Sequence, residues 1–74
     1  MPHVKIQHFP QVLSQTAKNA LAEEITRAIT QALQCDAGVV SIAIEPVSAD
    51  DWQAQVYRPE IENKKDCLIK VPNY

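Results

Sequence analysis

Val39-Val40-Ser41-Ile42-Ala43-Ile44 puts apolar side chains on both alternating faces, the pattern of a strand covered on two sides. Upstream, Ala17, Ala20, Leu21, Ile25, Ala28, Ile29, Ala32 and Leu33 follow the i, i+3, i+4, i+7 spacing of a core-facing helix. Ser14 stands where an N-cap belongs, and the helix should end near Gln34, ahead of Asp36-Ala37-Gly38. Gly38, the only glycine, is expected to supply a loop conformation that side chains resist. Further upstream, residues 3–9 alternate at period two: Val4 and Ile6 share a face with His8, and Lys5 and Gln7 share the other with Phe9. Pro10 stops that strand, because proline cannot donate to a ladder. Strand, helix and strand within about 45 residues form a β-α-β unit with parallel strands and a right-handed crossover.

Glu45-Pro46-Val47 leaves the sheet, and Ser48 suits the cap of a short turn through Asp50, Asp51 and Trp52. Pro59 suits a first helical position, giving a second short helix from about Pro59 to Cys67. Leu68-Ile69-Lys70-Val71, before Pro72, reads as a short C-terminal strand. The expected fold is α+β, a single domain over residues 1–74. Two strands and one helix do not complete a domain. The helix covers one sheet face, the other is expected to stay apolar, and two subunits stacked back to back would bury it.

Composition narrows the function. The chain has 74 residues, and domains this short are marginal alone. Cys35 and Cys67 allow at most one disulfide, and the N-terminus lacks the basic and apolar regions of a signal peptide. A cytoplasmic protein with free thiols is therefore expected. His3, His8, Cys35 and Cys67 have no metal-ligand spacing, so no metal site is expected. Net charge is -2 with no basic stripe, which argues against nucleic acid. No apolar run approaches the roughly 20 residues that span a bilayer. With one glycine the chain cannot build a dinucleotide fingerprint, and no cofactor is expected. Small molecules and other copies of the chain remain as partners.

One position is chemically unusual. Pro2 follows Met1, and removal of that methionine leaves a secondary amine. Ordinary α-amino groups titrate at about pH 8. Facing an apolar pocket, the charged form is disfavoured and the amine approaches the range a general base needs. Alone, a proline after methionine is a weak signal.

Its context is specific. Pro-His at 2–3, Phe-Pro at 9–10, Ser-Ile-Ala at 41–43, Trp-Gln-Ala at 52–54 and Leu-Ile-Lys at 68–70 occur in order around the long helix. Over nearly all of residues 2–70 the chain resembles the 4-oxalocrotonate tautomerase family, and most of all its bacterial phenylpyruvate-type branch. The resemblance implies an isomerase that carries a proton between enol oxygen and carbon on the N-terminal proline, here Pro2. It places Trp52 where the prototype has a pocket phenylalanine, an aromatic wall for a flat substrate. Phe9 and Ser41 join it as candidate substrate contacts. The prototype's two dicarboxylate-binding arginines fall at Val12 and Ser41, so a small mono-acid or neutral aromatic enol is the expected substrate. Arg27 should face solvent, whereas Arg58 could reach a site across an interface. The added segment at roughly 53–67 implies a homodimer first and a hexamer second. Two alternatives remain: a hydratase or dehalogenase of unsaturated acids, and a non-catalytic interaction module on the same fold.

Overall fold

In the computed structural model, which describes all 74 residues, two strands lie parallel and in register. They are β1 (His3–His8) and β2 (Ser41–Pro46), paired from His3 with Ser41 to His8 with Pro46. The helix between them, α1, spans Gln15–Leu33. The β-α-β unit read from the sequence is thus present. Ser14 caps α1, its hydroxyl accepting the Ala17 N–H at 3.0 Å. The helix ends at Gln34, whose backbone is left-handed (φ 53°, ψ 50°). Its side-chain amide donates to the Gln31 carbonyl at 2.8 Å and satisfies one of the helix-end acceptors.

Gly38 does not play the expected part. The positive φ falls at Gln34, and Gly38 sits inside a 3-10 turn, Ala37–Val39. What it supplies is room: a Cβ there would meet the Asp36 carboxylate at 3.2 Å.

That turn also corrects the second strand, which begins at Ser41 rather than at residue 39. Its second face is therefore Ser41, Ala43 and Glu45, not Val39, Ser41 and Ala43. The face expected to be apolar is polar. Lys5 Nζ lies 3.8 Å from Glu45 Oε1, and Gln7 Nε2 donates to the same oxygen at 2.7 Å. The apolar set (Val4, Ile6, Ile42, Ile44) is half-buried toward α1, where Leu21 and Ala22 meet Ile42 and Ile44 around a small cavity. Back-to-back stacking is thus not demanded by an apolar second face.

After β2 the Val47 N–H donates to the His8 carbonyl at 2.8 Å, tying the exit of β2 to the end of β1. Ser48 caps the one-turn helix α2 (Ala49–Trp52), with Asp50 and Asp51 in its first turn. The chain does not stop there: it continues as a π-helix, Gln53–Glu62, with Pro59 inside it. The second helix expected at 59–67 is therefore displaced, and Lys65–Cys67 is a 3-10 turn. The apolar positions explain the misreading. Trp52, Val56 and Ile61 are spaced by four and five residues, wider than an α-helical stripe, and match i→i+5 bonding. Residues 68–71 form no strand and pair with neither β1 nor β2. Ile69 lies fully exposed there.

Only Val47 and Val56 are buried, and Leu33 on α1 remains 59% exposed. No helix is long and apolar enough to cross a membrane.

The Ser14 cap can be tested directly. Ser14→Ala should cost about 1 kcal/mol and Ser14→Gly only a few tenths. Urea unfolding at one fixed protein concentration checks both. Equal losses in the two variants would show that the hydroxyl is not acting as a cap.

Candidate active site

The sequence candidates fall at two ends of the sheet. At the leading end, Pro2 is half-buried and its carbonyl accepts the Ser41 N–H at 3.2 Å. The Ser41 hydroxyl lies 2.7 Å from His3 Nδ1, its register partner across the ladder. Ser41 therefore spends its side chain on a neighbouring ring rather than on its own backbone. His3 carries no site signal in the sequence, since its parity puts it beside Ser41 only once the register is known. Met1, ahead of Pro2, stands fully in solvent.

At the trailing end, β1 delivers Phe9 and α2 delivers Trp52. Their rings meet edge to face, with centroids 5.0 Å apart and planes at 86°. This is the preferred arrangement of aromatic quadrupoles. They line a cavity of about 570 Å³ with Gln7, His8, Gln53 and Tyr74. That volume suits a small ligand. His8 Nδ1 is 2.6 Å from the Phe9 carbonyl. A carbonyl only accepts, so Nδ1 carries the proton and Nε2 of a neutral ring is left as an acceptor. A second cavity, of about 390 Å³, shares Gln7, Trp52 and Tyr74 with the first and adds Lys5, Lys70 and the apolar Val56, Ile61 and Leu68. Tyr74, Gln7 and Gln53 carried no signal in the sequence, because only the folded tail brings the first of them to the others.

Six strand residues at about 3.3 Å each separate the two ends by roughly 20 Å. The structure brings Pro2 to Ser41 and Phe9 to Trp52, but within one chain it does not bring the pairs together.

The charged groups sort plainly. Arg27 faces solvent and is paired with Glu24 at 2.8 Å, a bond that raises the guanidinium further above its usual range. Arg58 is exposed and lines neither aromatic-walled cavity. Lys64 bonds Glu60 at 2.8 Å, which holds the Glu60 carboxyl below its ordinary range and pushes the Lys64 amine up. Cys35 and Cys67 are unpaired thiols.

Residues 2–60 match the model of a family described as tautomerase enzyme. The chain belongs to the tautomerase family. Full-length similarity agrees with this. The chain is 43% identical to Tautomerase PptA of Enterobacter sp. (strain 638), 39% to that of Shigella sonnei (strain Ss046) and 36% to that of Cronobacter sakazakii, each over 74 residues. Each alignment covers the whole chain and 97% of the relative. This fits the bacterial branch of the 4-oxalocrotonate tautomerase family and makes the chain an enzyme, an isomerase.

The aromatic wall yields a prediction. A double-mutant cycle on Phe9→Leu and Trp52→Leu should show a coupling of about 1 kcal/mol in stability. Strictly additive losses would mean that the two rings do not support one another.

Proposed function

We propose that this tautomerase interconverts the enol and keto forms of a small aromatic 2-oxo acid, using the amine of Pro2 after Met1 is removed. The unprotonated amine takes the enol hydroxyl proton as the carbonyl forms. The resulting ammonium returns a proton to the adjacent carbon, so the amine is regenerated and no cofactor is consumed. The observation that carries this reading is the Phe9–Trp52 wall in a chain whose family match begins at Pro2. The wall suits a flat conjugated substrate and keeps its surroundings dry. Ser41, beside Pro2, has a hydroxyl that can meet a substrate oxygen.

The reading also calls for a homo-oligomer, a dimer before a hexamer. Two observations support it. Val47 and Val56 are the only buried residues of a 74-residue subunit. The proline and the aromatic wall lie at opposite ends of β1, so a second subunit is needed to bring its Pro2 to this wall. The cytoplasm, where the two thiols stay reduced, is the proposed location. The hydratase and dehalogenase reading is weaker, since neither arginine lines the aromatic-walled cavities.

Ketonisation of phenylenolpyruvate, followed by ultraviolet absorbance on mass-verified Met-free protein, tests the proposal. Pro2→Ala should lower kcat/KM by about 10²-fold or more, the usual weight of a positioned acid-base group. The wild-type kcat/KM should rise with pH through the amine's titration, because only the unprotonated form accepts a proton. Equal rates in the two proteins would sink the proline mechanism for this substrate class and favour a non-catalytic module.

A further inference from the structure

The cavity beside Trp52 has a cation that nothing neutralises. Two of its lining side chains are charged, Lys5 and Lys70. Lys5 faces Glu45, whose Oε1 also accepts from Gln7. Lys64 holds Glu60. Lys70 lines the cavity and belongs to no ion pair. Around it the lining is apolar, with Trp52, Val56, Ile61 and Leu68. Trp52 and Tyr74 are common to this cavity and to the one walled by Phe9. An aromatic surface thus runs continuously from Phe9 to within the cavity that Lys70 lines.

We propose that the two adjoining cavities form one site for an aryl carboxylate, with the ring against Trp52 and Tyr74 and the carboxylate received by Lys70. The charge count supports one anionic group and no more. Lys5 is matched by Glu45, so a single ammonium is left among the lining side chains, and a lysine pairs as a point charge rather than as a bidentate fork. Lys70 then stands in for the carboxylate-binding arginines absent at Val12 and Ser41. The inference rests on the tautomerase reading for its chemistry, but binding tests it independently of turnover.

Trp52 is the only tryptophan, so its fluorescence reports ligand at this wall. The probes are 3-phenylpropanoate and its neutral amide, 3-phenylpropanamide, titrated into the full-length protein. Wild type should bind the acid about tenfold more tightly than the amide, the usual scale of a hydrogen bond to a charged group. Lys70→Gln should erase that preference and leave amide binding unchanged, while Lys70→Arg should retain it. Lys5→Gln should also keep the preference, since Glu45 already neutralises Lys5. Binding is read without turnover, so a failed ketonisation assay and a failed binding assay point to different errors. Equal affinity for acid and amide in wild type would overturn the proposal. So would an acid preference that survives Lys70→Gln or disappears with Lys5→Gln.

Discussion

The ladder between β1 and β2 is the constraint on which everything else depends. With two strands there is one set of pairings, and it decides which residues share a face. His3 opposite Ser41, Ile6 opposite Ile44 and Gln7 opposite Glu45 all follow from one register. A slip by one residue would turn Ile42 and Ile44 away from α1 and bring Ser41 and Ala43 under it. The hydrophobic face under the helix therefore fixes the register, and the register fixes the polar cluster on the opposite face. The Val47 N–H bond to the His8 carbonyl extends the same ladder by one step and brings the start of α2 back over the end of β1.

The parts of this fold that could be read from sequence are those where a local rule and the tertiary context agree. For α1, a serine cap, a long periodic stripe and a clear exit coincide. For β1, clean alternation is closed by a proline. The fold departs from local expectation where two rules compete. Val39 and Val40 look like strand residues by propensity, yet a tight turn over Asp36 claims Val39 and pushes the strand to Ser41. Pro59 looks like a helix start, yet a wider helix already under way from Ser48 passes through it. Leu68 to Val71 has strand composition but pairs with neither strand, and composition alone does not form a ladder.

The candidate site divides in a similar way. Pro2 and Trp52 were legible because a family resemblance assigns them roles that their own surroundings in the sequence do not. Phe9 was legible as the aromatic of the Phe-Pro pair that follows β1, although its contact with Trp52 was not. His3 and Lys70 appear in the sequence only as members of the Pro-His and Leu-Ile-Lys runs, and Gln7 and Tyr74 carry no site signal, because the significance of all four comes from contacts across the chain. A histidine beside a serine 38 residues away, or a C-terminal tyrosine beside a tryptophan, leaves no periodic trace.

The cavity beside Phe9 is built from walls held in different ways. Phe9 follows directly on β1, and Trp52 closes a turn capped by Ser48, whose hydroxyl accepts the Asp51 N–H at 3.3 Å. Both are within a few residues of the Val47–His8 bond, so the sheet fixes their mutual geometry. Tyr74 instead reaches the cavity from a tail without regular structure, in which Ile69 and Val71 lie in solvent. The tail is held by the Tyr74–Tyr57 ring contact, centroids 6.0 Å apart, and by the half-buried Leu68 and Pro72 rather than by a ladder, so its opening costs less than disrupting the sheet. A proton carrier needs its substrate held to within a fraction of an ångström, which the fixed wall can provide. Tolerance of different rings needs a surface that gives, which the tail can provide. On the proposed reading, orientation and breadth of substrate would be set by different parts of the chain, and changes in the tail would alter what binds without moving the ring that orients it.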